Sequence, residues 1–239
     1  METQEKGIGG SGENGGSAMI QVENISYSYK TKYQVIHAVR EVSCIFEQGM
    51  FYAITGESGS GKSTFMALLA GLDKPDQGRI LIEGKSLSEM NRDTWRRDMV
   101  SVIYQSFNLF PLLNALENVM YPMELKGIKK QEARERAKSY IRKVGLSEKI
   151  YRQYPQMMSG GEQQRVAIAR GMAAGGKVLL ADEPSGNLDS GNERNIVELL
   201  KSAAHEQGMC VIVITHNQEV AKAADRILRM KDGRLEEKA

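Results

Sequence analysis

The sequence predicts an α/β fold: a core built on a mainly parallel sheet, an antiparallel β flank early in the chain and a helical insertion in the middle. Three observations predict it. Short apolar runs alternate with helix-like stretches through the last third of the chain, the signature of strands laid parallel with helices between them. The stretch after residue 19 reads instead as strand after strand. Residues 114–153 then switch to helical periodicity and good helix formers.

Taken in order, residues 1–18, "METQEKGIGGSGENGGSA", have too few apolar side chains to bury and read as a flexible Gly-rich tail. Met19 is a candidate natural first residue, and 19–239 read as one domain. Strands are expected at 20–25, 39–46 and 51–55, at 79–83 after the turn "DKPDQG", and at 100–105. "ALENVMYPMELKG" and "KKQEARERAKSYIRKVGL" carry the helical subdomain, expected at about 106–160. After it come a strand at 178–182, a helix at 190–205, a strand at 210–215, a helix at 217–224 and a strand at 226–230. No internal repeat is present.

Composition narrows the function. The chain has 239 residues, 41% hydrophobic and 26% charged, enough apolar content for a buried core. A net charge of +2 argues against nucleic-acid binding by bulk charge. The longest apolar runs are far too short to span a bilayer, and no signal-peptide pattern opens the chain. Any work at a membrane needs another polypeptide to span it. Cys44 and Cys210 sit in strand-like runs without metal-ligand spacing, so they read as buried, reduced thiols of a cytoplasmic protein.

Residues 56–64, "GESGSGKST", satisfy the phosphate-loop pattern Gly56-x4-Gly61-Lys62-Ser63. The strand-like "FYAIT" enters the loop and the helix-like "KSTFMALLAG" leaves it. A Gly-rich turn without function would not need that whole context. Gly56, Gly59 and Gly61 let backbone N–H groups close around phosphate oxygens, with Ser58, Ser60 and Thr64 in the same wall. Lys62 brings a positive charge to the β- and γ-phosphates, and the Ser63 hydroxyl is a ligand for Mg²⁺. "VLLADE" complements the loop: a buried strand that releases Asp182 at its carboxyl end, where ligands of such sheets sit. Glu183 follows at once and is aimed differently, toward an attacking water. Alone it would read as an ordinary solvated acid before Pro184.

A second anion site stands at "MMSGGEQQR", where Ser159, Gly160 and Gly161 precede a helix-like run. A helix N-terminus contributes about 0.3–1 kcal/mol to an anion, and up to about 2 when partly buried. A micromolar ligand needs about 8 kcal/mol. The second site therefore cannot hold a nucleotide alone. It makes sense against a nucleotide already held by the phosphate loop of a second copy.

"MSGGEQQRVAIARGM" resembles the signature motif of ABC ATPases, usually written LSGGQ, and the resemblance extends over essentially all of 20–235. It implies a P-loop NTPase core with a RecA-like sheet. It also implies ATP and Mg²⁺ as cofactors and a head-to-tail dimer with two composite sites. By the same resemblance Tyr29 in "ISYSYK" stacks on adenine, Gln105 in "VIYQSFNLFP" senses the metal and the water, Asp189 in "SGNLD" faces the partner copy, and His216 in "VIVITHN" stabilises the transition state. Ser63, Gln105 and Asp182 would surround Mg²⁺; Glu183, His216 and Lys62 would carry the catalysis. The bland readings are strand packing beside Tyr27, a surface amide and a loop histidine.

The apolar cluster Phe107, Leu109, Phe110, Leu112 and Leu113 reads either as subdomain core or, in part, as a groove for a membrane subunit's helix; with the helical subdomain it would then dock transmembrane permease subunits at the cytoplasmic face of the membrane. "FNLFPLLNALENV" and "ADEPSGNLDS" resemble the branch of lipoprotein-release, macrolide-exporter and antimicrobial-peptide-transporter ATPases. A GTPase is disfavoured by the lack of a guanine motif, and a small-molecule kinase by the signature. A ribosome-acting ABC protein is disfavoured by the single cassette, and a chromosome-type ATPase by the short insertion. Transport and membrane-coupled signalling stay open. One departure stands out: Glu162 occupies the position where the family usually has glutamine, close to the expected polyphosphate, although Ser159-x-x-Glu162 also fits a capping box that would reinforce the helix start.

Overall fold

The structure, a computed structural model, describes residues 17–186 and 188–237. Nearly all of the expected tail, and Asn187 of "SGNLD", lie outside the described residues. The first strand begins at Ala18.

The phosphate-loop sheet has six strands in the order β10-β9-β3-β8-β7-β6. Its centre is β3 (Phe51–Thr55), β7 (Val178–Asp182) and β8 (Cys210–Ile214), flanked by β6 (Val100–Ile103) and β9 (Arg226–Lys231). These five strands run parallel. β3, β7 and β8 have continuous apolar runs because both faces are covered. On one face Val178 and Leu180 of β7 join one hydrophobic core; on the other Leu179 and Ala181 join a second. This is the period of two that a strand imposes. β10 (Arg234–Glu237) turns back antiparallel on β9 through Asp232 and Gly233.

The flank is a four-stranded antiparallel sheet in the order β2-β1-β4-β5: β1 (Ala18–Lys30), β2 (Val35–Glu47), β4 (Gln77–Ile82) and β5 (Lys85–Ser86). Helix α1 (Lys62–Leu69) leaves the phosphate loop and buries Phe65, Met66, Leu68 and Leu69 in the core beneath that flank. A single turn, α2 (Arg92–Thr94), runs into a π turn at Trp95–Met99, which seats Trp95 in the same core.

The middle of the chain is helical in pieces. α3 (Ala115–Leu125) starts at a capping box between Asn114 and Glu117 and ends before Gly127, whose φ of +78° favours glycine. α4 (Lys130–Lys143) buries Ala133, Ala137 and Ile141, four residues apart, on one face. Short 3₁₀ turns at Glu148–Arg152 and Pro155–Met157 lead to α5 (Gly160–Ala174). α6 (Ser190–His205) and α7 (Gln218–Lys222) complete the α/β alternation.

Several boundaries differ from the sequence expectation. The strand expected at 100–105 ends at Ile103, where its pairing with β7 stops, so Gln105 lies in the following loop. The helix expected at 217–224 spans only Gln218–Lys222; its start is set by Asn217, whose side chain accepts from Glu219 N. β5 and β10 were not expected. Cys44 is only half-buried, whereas Cys210 is buried; burial pushes both thiols up to about 12.

Candidate functional site

The carboxyl ends of β3, β6, β7 and β8 open on a cavity of about 590 Å³. β3 delivers the phosphate loop, β7 delivers Asp182 and Glu183, β8 delivers His216, and the segment after β6 delivers Gln105. Tyr29, Gly56, Ser58, Gly59, Gly61, Lys62, Ser63 and Thr64 line the cavity with them. Residues far apart in the chain thus meet because parallel strands end at one edge.

Two glycines of the loop are required by close backbone approach. A Cβ on Gly56 (φ +148°) would lie 2.2 Å from the Met230 carbonyl oxygen, and one on Gly61 (φ +104°) 2.1 Å from that of Ala38. Gly233 N donates to Ser60 O at 3.0 Å, so the β9–β10 turn props the loop from behind. Ser60 is buried in this wall and does not line the cavity. The Lys62 ammonium donates to the carbonyls of Gly56 (2.9 Å) and Glu57 (2.7 Å), spanning the loop it must serve. Tyr29 stands at the rim, 44% exposed, its ring edge-on to Tyr27 and its hydroxyl 3.1 Å from Thr64 Oγ1.

At the acid end, Ser63 Oγ donates to Asp182 Oδ2 at 3.0 Å. Burial holds the Asp182 carboxyl above its ordinary value, and the like charge of Glu183 adds to it, against the Ser63 hydrogen bond and Lys62. A hydroxyl and a carboxylate this close are hard oxygen donors that fit Mg²⁺. No group of three or more His, Cys, Asp or Glu is placed to hold a metal among the described residues.

Glu183 is buried, with φ +49°, a rare backbone conformation for a side-chain-bearing residue. Its carboxylate lies 2.8 Å from His216 Nδ1 and accepts from His216 N at 3.1 Å. Thr215 Oγ1 lies 3.4 Å from its second oxygen.

Ser159, Gly160, Gly161, Glu162 and Asp189 do not line this cavity. Ser159 caps α5 and Asp189 caps α6, the latter accepting from Gly191 N and Asn192 N. Those bonds, led by the one from Asn192 N, hold the Asp189 carboxyl below its ordinary value. The Ser159 turn is exposed, and open space surrounds the position of a Cβ on Gly160. One chain therefore presents its two anion sites separately.

Two side chains that sequence reasoning missed shape the loop at 107–113. Buried Asn118 accepts from Phe110 N (2.8 Å) and donates to the carbonyls of Phe110, Leu113 and Asn114. Arg170 donates to the carbonyls of Asn108 (2.6 Å) and Phe107 (2.8 Å), both residues with positive φ. The loop so held displays Leu112, 85% exposed, and Phe110, which packs on Tyr121. A polar asparagine inside "ALENVM" was the only local signal. Beside this loop lies a further cavity of about 890 Å³, lined by Leu113, Tyr121, Arg134 and Tyr154 among others.

Residues 39–186 match the family described as ABC transporter. The uncharacterized ABC transporter ATP-binding protein YclH of Bacillus subtilis (strain 168) is 39% identical over 216 residues, 90% of this chain and 95% of its own length. A macrolide export ATP-binding/permease protein, MacB 1 of Yersinia pestis bv. Antiqua (strain Antiqua), is 40% identical over 92% of this chain but only 34% of its own length. The solved dimer of the ATP-binding cassette MJ0796 in a post-hydrolysis state, bound to ADP and Pi, superposes with a TM-score of 0.88 at 37% identity, covering 92% of this chain and 98% of that one. With the phosphate loop, the acid pair and the separate signature turn in place, the chain belongs to the ABC transporter family and is one of its ATP-hydrolysing cassettes.

Proposed function

We propose that two copies close head to tail on two ATP molecules, and that this closure moves separate transmembrane subunits to export or extract a lipid, lipoprotein, peptide or drug. The observation that carries the reading is the half-site: Lys62, Ser63, Asp182, Glu183 and His216 share one cavity, while the Ser159 turn does not line it. A second copy supplies what each cavity lacks. The macrolide-export name of the MacB relatives favours transport over signalling.

Tyr29 offers its ring to adenine. The backbone of 56–64 and Lys62 take the phosphates, and the partner's Ser159, Gly160 and Gly161 approach the γ-phosphate. Mg²⁺, held by Ser63 with Asp182 and Gln105 near it, would neutralise charge developing on the phosphate oxygens. Glu183 orients or deprotonates the attacking water, and His216, hydrogen-bonded to it, follows that proton and steadies the γ-phosphoryl group. Asp189 faces the partner copy. The rigid loop at 107–113, its exposed Leu112 and Phe110, and the adjoining cavity support docking of membrane subunits there. No described helix is long and apolar enough to cross a membrane; the proposed place of work is the cytoplasmic face, through those subunits.

The test is Glu183→Gln. General-base positioning contributes about 10²–10⁴-fold, so this variant should bind ATP, accumulate as a closed dimer and hydrolyse at least about 100-fold more slowly. Turnover at the wild-type rate would remove Glu183 from the role.

A further inference from the structure

Gln164 has no part in the mechanism above. It lies in α5 about one and a half turns beyond the Ser159 cap, and it is buried, 1% exposed. Its Nε2 donates to the backbone carbonyl of Glu183 at 2.9 Å. Burying a side-chain amide is costly unless it is hydrogen-bonded, so a buried glutamine that spends a donor on this one carbonyl fixes both partners.

The carbonyl it holds belongs to an unusual peptide. Glu183 sits at φ +49°, and its own N–H donates to Ile214 O at 2.9 Å. Its carbonyl also accepts from Gly186 N at 3.3 Å. β8 therefore holds one side of the residue, and α5 holds the other through Gln164. The carboxylate between them is thereby turned toward His216 Nδ1, 2.8 Å away. The first turn of α5 is the Ser159 turn itself, which in the closed dimer belongs to the other composite site.

The geometry points to Gln164 as a positioning residue: it ties the signature helix of a chain to the water-orienting acid of that same chain, linking one composite ATP site to the other. The inference rests on the proposed role of Glu183. Rigid movement of α5 as the partner's nucleotide engages Ser159 is carried by this bond to the peptide that aims the Glu183 carboxylate.

The experiment compares wild type, Gln164→Met, Glu183→Gln and the double variant in steady-state ATP hydrolysis and ADP binding. Methionine keeps the length of the side chain and removes the donor. Misplacing a catalytic group slightly costs up to about 100-fold. The Gln164→Met kcat should fall by about 10- to 100-fold, with KM for ATP and affinity for ADP unchanged. The double variant should be no slower than Glu183→Gln alone, because Gln164 acts through that residue. In Gln164→Glu the protonated carboxyl can donate and the ionised one cannot. Its kcat relative to wild type should therefore rise as pH falls with affinity for ADP unchanged throughout, whereas the cost of packing an ionised carboxylate in the core would weaken ADP binding in step with kcat. Wild-type kcat in Gln164→Met, or an effect that multiplies that of Glu183→Gln, overturns the positioning role and leaves the site reading intact. If Glu183→Gln itself turns over normally, the proposed function fails first. Should Gln164→Met lose ADP binding altogether, the Gln164→Glu profile decides: a ratio that rises at constant affinity for ADP upholds the link, and any other profile sinks it.

Discussion

Two helices of this chain have glycine at their starts and are read as phosphate binders, yet their first turns are built in opposite ways. α1 starts at Gly61 in a left-handed conformation, with no side-chain cap and no acid in its first turn. α5 starts at Ser159 inside a closed capping box. Glu162 accepts from both Ser159 N and Ser159 Oγ at 2.8 Å, and Glu162 N donates back to Ser159 Oγ. The Ser159 backbone N–H, then its hydroxyl, holds the Glu162 carboxyl below its ordinary value. α1 thus presents its N-terminus directly to a ligand. α5 already commits the Ser159 N–H and hydroxyl to a carboxylate, and a phosphate that engages those two groups must compete with it. The difference suits a site that binds first and a site that engages second.

The comparison breaks most visibly at Gly61. Gly61→Ala drives a Cβ against the Ala38 carbonyl. ATP binding should weaken by at least about 100-fold, about 2.7 kcal/mol, as read by titration with a fluorescent nucleotide. Retained affinity would show that α1 does not need its bare start. A smaller effect is expected at the rim. Tyr29→Ala should weaken ATP by about 1–3 kcal/mol if the ring stacks on adenine. Tyr29→Phe, which loses only the Thr64 contact, should stay close to wild type.

Smaller again is the effect on α5. Glu162→Gln removes a negative charge from a helix start meant for phosphate, a change of about 0.3–1 kcal/mol. The ATP-dependent dimer should tighten by about two- to fivefold, measured as dimer fraction against ATP concentration. Equal or weaker association would mean that the glutamate does not oppose closure. The smallest effect concerns pH. A lowered folded value means that Glu162 supports α5 fully above the ordinary carboxylate value of 4.5. That support is lost as pH falls through the lower folded value. Any advantage of wild type over Glu162→Ala in thermal unfolding should therefore be constant from neutral pH down to about 4.5 and shrink only below it; a gap that persists at the lowest pH would place the support elsewhere.

Much of this molecule was legible because its chemistry restricts residue type. Only glycine suits Gly56 and Gly61, and only a short run of bulky aliphatics makes β7 before Asp182. The pattern therefore carried the phosphate loop, the acid pair and the signature turn. The relations that escaped notice join a side chain to a distant main-chain carbonyl: Gln164 to Glu183, Asn118 to Phe110 and Leu113, Arg170 to Phe107 and Asn108. Main-chain acceptors are the same at every residue, so no spacing marks them. The breaks within the helical region were blurred for another reason. Lys, Glu and Arg favour helix almost equally, and Gly127 and Gly145, both at positive φ, are weak punctuation among them. β10 was hidden in a polar, exposed tail whose alternation is slight.

The prop behind the phosphate loop sets an order of assembly. The loop spans residues 56–64, but its rear wall is Met230 and the turn at Gly233. During synthesis the loop leaves the ribosome long before that wall exists. A nascent or truncated chain ending before β9 has the full phosphate-binding sequence without the backbone that closes Gly56 and Ser60 into shape. The shape of the phosphate loop thus depends on backbone that follows it far along the chain, and a chain cut before β9 should lose nucleotide binding although its phosphate-binding sequence is intact.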